Sequence, residues 1–282
     1  MFSEDDVIYH YCNVDTFLKI MQNRTIFLSS SREKNDPDEC RNFDKYLEEA
    51  KDFFKGYPEE EKRLVYDVFK RYSKIYDFPY TASFSKSSDK LELWDRYADN
   101  GKGIAIGFAL NKLSYYDLMD EKHGKGTPII TIDEISYNDH DLTTVKNFGE
   151  AALILLRKGF DREFVIMRAS AMMRHLSAFT KFLPYAGENE IRMVYTPCYP
   201  YLLKKLTKIK VNPPGHLPIK FRESGGKIIS YFEYSFPVSS IDSITLGPKS
   251  AIDIHELTLF LASVAPSVKI KDKVFKSKIH IR

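Results

Sequence analysis

The feature that most constrains the fold is a series of short strand patterns interrupted by two long helical patterns. β-Branched and aromatic residues crowd the segments 7–12, 25–29, 81–85, 104–108, 129–137, 188–195, 228–236, 241–246 and 267–280. Apolar residues recur instead at helical spacing through about 39–76 and 144–179. These patterns predict one α+β domain over 1–282, with a mixed, mostly antiparallel sheet and the two helical stretches as insertions.

Local capping and breaking residues place several boundaries. Asn13 is suited to cap a helix that carries Phe17, Leu18 and Met21 on its inner face. Pro58 fits a first helical turn, and Gly159 is expected to break the stretch 144–179. Shorter helices are predicted at 91–98, which contains the single tryptophan Trp94, and at 253–263.

Composition excludes several classes of protein. Hydrophobic residues make up 43% of the 282 residues, too many for a disordered chain. No stretch approaches the ~20 apolar residues of a membrane helix, and the first six residues are acidic where a signal peptide is basic. The three cysteines (Cys12, Cys40 and Cys198) are far apart and form no Cys-x-x-Cys pair. We therefore expect a cytoplasmic protein without a disulfide framework, and no membrane association.

The net charge of +3 does not by itself indicate a nucleic-acid binder. Residues 33–62 lean acidic, whereas 204–210 and the tail 269–282 lean basic. Solvated surfaces account for such runs, and so does attraction of a phosphate-bearing ligand or a nucleic acid. Both readings stay open.

Two familiar kinds of site are not indicated. The glycine pairs at 101–103, 124–126 and 225–226 lack the spacing and the trailing Ser or Thr of a phosphate loop, and they predict turns. Asp139-His140-Asp141 stands in a polar loop without partners at ligand spacing, so no metal is expected. His175 lies on an apolar helix face and is interpreted as a core histidine.

Two predicted strands carry polar residues that suit a binding site. In the first strand, alternation directs His10 away from Tyr9 and Tyr11, and its ring nitrogens suit a ribose or an amide. A buried histidine bonded to the backbone would show the same pattern. In the strand 81–85, Ser83 and Ser85 share one face, where small donors permit close approach by a ligand.

A third strand pattern combines charges of both signs. Period-two alternation predicts that Glu188, Glu190 and Arg192 lie on one face of a strand. Two carboxylates this close repel each other unless a cation intervenes. Arg192 provides that cation if the set is a structural ion-pair ladder. In the alternative, one carboxylate stabilises a cationic transition state while the other orients a nucleophile.

These stretches, in this order, resemble a bacterial family known as domain of unknown function 2971. The resemblance spans nearly the whole chain. It is carried by Tyr9-His10-Tyr11, Asn35-Asp36-Pro37 with Glu39, Trp94 with Arg96-Tyr97-Ala98, the run 101–108, Glu188-x-Glu190-x-Arg192, Gly247-Pro248, and Lys276-Ser277-Lys278-Ile279 with Arg282.

A looser resemblance, to the ADP-ribosyltransferase superfamily, implies an activity. It rests on a first-strand histidine, a Ser-x-Ser strand and a later Glu-x-Glu. The resemblance implies a split sheet, NAD as substrate and no metal. By position, Glu190 would stabilise the oxocarbenium-like state and Glu188 would orient the acceptor. His10, Ser83 and Ser85 would hold the dinucleotide. Tyr11, Trp94 and Arg96 are further candidates for binding NAD, without a counterpart in that resemblance.

The expected function is therefore an NAD-consuming mono-ADP-ribosyltransferase or NAD glycohydrolase. By analogy it would be a bacterial toxin or phage-defence effector, with a protein or nucleic-acid acceptor and a regulatory partner that restrains it. Two alternatives stay open. One is a nucleic-acid-binding module or nuclease that uses the tail 269–282, and the other is a non-catalytic partner-binding subunit.

Overall fold

The computed structural model describes residues 6–31, 40, 43–74, 79–113, 130–137, 142–181, 183–196, 217–266 and 273–280. The strands are β1 Val7–Cys12, β2 Thr25–Ser30, β3 Tyr80–Ser85, β4 Ile104–Ala109, β5 Ile130–Glu134, β6 Glu190–Tyr195, β7 Lys220–Ser224, β8 Lys227–Ser235, β9 Ile241–Leu246 and β10 Val274–Lys276. The helices are α1 Val14–Asn23, α2 Leu47–Phe53, α3 Glu59–Lys74, α4 Leu91–Tyr97, α5 Leu142–Arg157, α6 Arg162–Ser177 and α7 Ile254–Val264.

Several features of the sequence analysis lie outside the described residues. They are Asn35-Asp36-Pro37, Glu39, the glycine pair at 124–126, Asp139-His140-Asp141, Cys198, the basic run 204–210, and the parts of the tail at 269–272 and 281–282.

Side-chain caps start the helices where the sequence predicts. Asn13 Oδ1 accepts a hydrogen bond from Thr16 N at 2.8 Å, which satisfies one of the free amides at the start of α1. Asp253 caps α7 in the same way. Gly159 has φ +84° between α5 and α6, so the predicted break is confirmed. One prediction on α1 is wrong: Ile20 is buried with Phe17 and Met21, and Leu18 is exposed.

The two predicted insertions form a helical layer, made of α2, α3, α5 and α6. It has its own hydrophobic core, to which the largest contributors are Phe43, Phe54, Phe69, Tyr72 and Phe148. The first helix of the predicted stretch 39–76 is short: residues 44–46 form a 3₁₀ turn, and α2 extends only over Leu47–Phe53. These four helices bury most of their apolar residues against one another, and Ala178 and Phe179 after α6 pack against Val194 of β6.

The strands form one sheet in which β10-β9-β4-β1-β3-β2-β8-β7 is the main path, with β6 and β5 added beside β3. All described pairings are antiparallel except that of β9 with β10. The α+β class with a mixed, mostly antiparallel sheet is thus confirmed. The described part of the predicted terminal strand is the short β10.

The sheet divides at β3. β6 pairs with β3 along its whole length, from Tyr80 to Ser85. β1 pairs with β3 only at Ser85, and β2 pairs only at Tyr80 and Thr81. Because a strand has two edges, β1 and β2 must share the edge of β3 that β6 leaves free. They separate along residues 82–84, and this gap is called the split below.

The two faces of the sheet differ in chemistry. One face packs against α1 and α7 through the main hydrophobic core, which includes Ile8, Phe84 and Met193. The register places Tyr9, Ser85 and Glu190 on the opposite face. That second face, called the polar face below, carries Ser83, Ser85, Glu190 and Arg192, whereas His10 lies on the first face.

The strand predicted over 228–236 is one arm of a hairpin, and its other arm, β7, was not predicted. β7 pairs with β8 through a turn at Gly225 and Gly226, whose φ values are +59° and +79°. Glycine adopts these left-handed angles without steric cost, and two of them in succession fit a two-residue hairpin turn. The turn predicted at this glycine pair is confirmed.

Within the described ranges, no helix combines the length and the apolar character needed to cross a bilayer.

Candidate functional site

The split opens into a cavity of about 240 Å³ on the polar face. β1, β2 and β3 supply most of its wall, and the 3₁₀ turn before β6 closes one end. Its lining residues are Tyr9, His10, Tyr11, Phe27, Ser29, Thr81, Ala82, Ser83, Phe84, Ser85, Leu93, Tyr97, Glu188 and Glu190. Aromatic rings and small hydroxyls therefore surround a space with two carboxylates at one end.

Tyr11 forms a fixed wall of the cavity. Its hydroxyl donates to Ser87 O at 2.9 Å and accepts from Lys90 N at 3.2 Å. Its ring meets the Trp94 indole edge-on, with 4.7 Å between centroids. Burial raises the pKa of Tyr11 above its usual range, so the phenol stays neutral.

His10 reaches the cavity through the split. Tyr9 pairs with Ser85, so alternation puts the His10 side chain on the opposite face, where its ring lies 5.5 Å from that of Phe84. His10 Nδ1 lies 3.0 Å from Ser83 O. A carbonyl only accepts, so Nδ1 carries the proton and Nε2 keeps a lone pair. Burial lowers the pKa of His10, and the bond to Ser83 O opposes that change only in part.

Glu190 is the most firmly held acidic group at the site. Its Oε1 accepts from Ser83 Oγ at 2.6 Å and from Arg192 Nε at 2.9 Å, and Arg192 Nη2 donates to Oε2 at 3.0 Å. Arg192 Nη1 donates to Ala178 O at 2.6 Å. Glu190 and Arg192 therefore lie on one face, as predicted, and form the expected ion pair in bidentate geometry.

Glu188 does not lie in the strand, and this prediction is wrong. β6 begins at Glu190, whereas Glu188 ends a 3₁₀ helix over Leu183–Glu188. Asn189 between them has φ +46°, a left-handed angle that turns the chain before the strand starts. The carboxylate still reaches the site: its Oε1 accepts from Arg96 Nη1 at 3.1 Å and from Tyr97 Oη at 3.0 Å.

Lys181 joins the two carboxylates. Its Nζ lies 2.7 Å from Glu188 Oε2 and 2.8 Å from Glu190 Oε2. Burial lowers the pKa of this amine, but the charge of Glu190 and the hydrogen bonds to Glu188 and Glu190 outweigh that effect and raise the pKa above its ordinary value. The sequence analysis missed Lys181, because it precedes the strand in a loop and belongs to no periodic pattern.

At this end of the cavity, each of the two carboxylates is therefore paired with more than one cation. Glu188 and Glu190 face Arg96, Lys181 and Arg192. The cation that the sequence required between the two carboxylates is Lys181 together with Arg192. Burial and the charge of Glu188 raise the pKa of Tyr97 to about 12, so this phenol stays a donor at neutral pH.

The structure brings most of the predicted set together. His10, Tyr11, Ser83, Ser85, Glu188 and Glu190 line one cavity. Ser85 Oγ points toward Glu188 O at 3.4 Å. Arg96 is more than half exposed and reaches the site only through Glu188. Trp94 does not reach it: its side chain is completely buried, and its Nε1 donates to Asp89 Oδ1 at 2.7 Å.

Among the described residues, no group of three or more His, Cys, Asp or Glu side chains is arranged to hold a metal ion.

Comparison of the chain with protein-family models, with curated proteins and with solved structures found no match.

Proposed function

We propose that this protein cleaves the bond between nicotinamide and ribose in NAD and transfers ADP-ribose to an acceptor or to water. The observation that carries the proposal is the Ser83–Glu190 hydrogen bond at the wall of the split cavity. It holds a carboxylate beside a space lined by aromatic rings. A toxin or phage-defence setting stays a prediction from resemblance.

The chemistry of this bond suits the residues. When the C1′–N1 bond breaks, its electron pair moves to the pyridinium nitrogen and nicotinamide leaves as a neutral molecule. Positive charge then develops on the ribose, where a nearby fixed carboxylate stabilises it. The oxygen of water or of an acceptor bonds to C1′ and loses its proton. No acid is needed to assist departure, because the leaving group is already cationic.

The ion pair with Arg192 defines how Glu190 can act. Glu190 is buried and makes a bidentate contact with Arg192, so its position is fixed before a ligand enters. We assign it the role of a positioned negative charge. Glu188, held by Tyr97 and Lys181, is the group that orients the nucleophile and takes up its proton.

The cavity walls are assigned to the nicotinamide nucleoside. Tyr9, Tyr11 and Phe27 offer aromatic surfaces to a cationic ring. The free Nε2 of His10 accepts a hydrogen bond from a ribose hydroxyl or from the carboxamide.

The test is nicotinamide release from NAD, followed by liquid chromatography for the wild type and for Glu190→Gln. Because the neutral amide cannot supply the negative charge, we expect release to fall by about 10²–10³-fold. Glu163→Gln removes an exposed carboxylate of α6 and is the matched control, with unchanged release. Circular dichroism checks that both variants are folded. Wild-type protein that leaves NAD intact with water and with protein and nucleic-acid acceptors would overturn the proposal.

Deleting the tail 269–282 would not test the nucleic-acid alternative cleanly, because part of the tail stabilises the fold. β10 pairs with β9, and Asp89 accepts hydrogen bonds from Ser277 Oγ and Lys278 N, both at 2.7 Å. Deleting 269–282 would remove these structural contacts. The charges of Lys276 and Lys278, both exposed, are better changed to Gln. Binding to a nucleic acid that depends steeply on salt, and that this change weakens, would favour the alternative.

A further inference from the structure

Arg222 on β7 stands at the β2 margin of the cavity. Its Nη2 donates to Ser29 Oγ at 3.2 Å, and its guanidinium carbon lies 6.0 Å from the centre of the Phe27 ring. Ser29 and Phe27 both line the cavity. The guanidinium is thus at the end of the cavity away from Glu188 and Glu190.

The sheet register places Arg222 on the polar face. Arg222 pairs with Ile229, and Tyr231, two residues further along β8, pairs with Ser29. Ser29 in turn pairs with Thr81 on β3. Alternation therefore puts Arg222, Ser29 and Ser83 on the same side of the sheet.

The charge of Arg222 is not balanced by a carboxylate among the residues that the structure describes. By contrast, Arg96, Lys181 and Arg192 all contact Glu188 or Glu190. The acidic side chain of Glu233, which pairs across the sheet with Phe27, is 2.7 Å from Lys220. Positive charge is therefore left over at the margin of the cavity where Arg222 lies.

The volume of the cavity limits which part of a dinucleotide it can enclose. Its volume of about 240 Å³ is below the ~300–1,000 Å³ of pockets that enclose drug-sized ligands. A nicotinamide nucleoside is the part of NAD that suits this space. The pyrophosphate must then lie at a margin, and a margin with an uncompensated guanidinium favours it.

We propose that Arg222 binds the pyrophosphate of the dinucleotide while the nicotinamide nucleoside occupies the split. This inference rests on the proposed function and adds the residue that selects a phosphorylated substrate. Ser29 pairs with Thr81, whereas Glu190 pairs with Ser85, so the guanidinium lies toward the Thr81 end of the split and the carboxylate toward its Ser85 end.

The experiment compares two ligands on two proteins by isothermal titration. NAD and nicotinamide riboside, which has no phosphate, are titrated into Glu190→Gln protein and into Glu190→Gln/Arg222→Met protein, so that neither ligand is consumed. We expect the Arg222 change to weaken NAD binding about tenfold, as for loss of one charge-assisted bond. The affinity for the riboside should change less than about twofold, because the riboside has no phosphate for Arg222 to bind.

Matched variants sharpen this result. Lys227→Met removes a cation from the same hairpin at its turn and should leave NAD binding unchanged. Arg222→Lys keeps the charge without the planar fork and should restore part of the affinity.

Equal weakening of both ligands, or of neither, would overturn the role of Arg222. So would failure of NAD to bind when Arg222 is intact. Nicotinamide release by the wild type is measured separately. If release occurs and Arg222→Met leaves NAD affinity unchanged, the proposed function stands and this inference alone is rejected.

Discussion

The helical layer and the sheet each bury an arginine, and they use it in different ways. Arg174 on α6 and Arg192 on β6 are at most 2% exposed. Arg174 donates to the backbone carbonyls of Cys40 and Tyr72, and its guanidinium lies 4.3 Å from the centre of the Tyr72 ring. Arg192 donates instead to a carboxylate, that of Glu190.

Arg174 stabilises the fold only, whereas Arg192 stabilises the fold and also holds a carboxylate of the candidate site in place. Tyr72 lies in the last turn of α3, where backbone carbonyls lack helical partners, so Arg174 caps that helix. Arg192 compensates a buried negative charge beside the cavity. A buried cation is therefore informative about function only once its partner is known.

The largest expected effect on stability comes from Arg192→Met. The change leaves Glu190 buried without its bidentate partner, and we expect the free energy of unfolding to fall by about 3–5 kcal/mol. Urea denaturation measures it. Adding Glu190→Gln removes the uncompensated charge and should restore part of the loss. A double variant as unstable as the sum of the two single variants would contradict the pairing.

Arg174→Met should have a smaller effect. Ser177 Oγ lies 2.9 Å from Cys40 O and 2.7 Å from Arg174 O, so its one proton is shared and Cys40 O keeps a donor in part, whereas Tyr72 O loses the donor that Arg174 supplied. We expect a loss of about 1–3 kcal/mol in urea denaturation. Arg168→Met, on an exposed position of the same helix, is the control and should stay within about 0.5 kcal/mol of the wild type. A loss as large as that of Arg192→Met would erase the contrast between the two regions.

His175 tests the contact between the two regions, and its expected effect is the smallest. It lies on α6, and its Nε2 is 3.1 Å from Thr131 Oγ1 on β5, so the ring has a polar partner but is partly exposed and not in the core. Burial lowers the pKa of His175 to about 4. Between that value and the ordinary value of about 6.5, the unfolded chain binds more protons than the folded chain. Stability should therefore fall as the pH is lowered through this range.

The measurement compares unfolding free energies at the two ends of that pH range for the wild type and His175→Gln. We expect the wild type to lose about 1–2 kcal/mol more than the variant, less than full linkage because the ring is partly exposed. Equal pH dependence in the two proteins would show that the ring does not titrate in this range.

Much of the fold could be predicted because its signals are local. Asn13, Gly159 and Gly225-Gly226 act through their own backbone and side-chain geometry, and each lies where the sequence placed it. The position of Glu188 could not be predicted in this way. The alternating pattern around it fits a strand, and only the left-handed angle at Asn189 shows that the strand starts later.

The candidate site shows the same division. Alternation within single strands predicted that Glu190 and Arg192 share a face, and it assigned His10 to the face opposite Tyr9 and Tyr11. Lys181 and Arg222 were missed, because each meets its partners across a loop or across neighbouring strands.

By itself, the sequence determined most of the strands, the helix caps, and the side of its strand on which His10, Ser83, Glu190 or Arg192 stands. These properties depend on residues within one turn or one strand, where backbone geometry leaves few choices. The tertiary structure alone decided that β1 and β2 share one edge of β3 and separate there. That arrangement depends on pairings between segments far apart in the chain. It is also what opens the cavity and joins His10 to a site on the opposite face of the sheet.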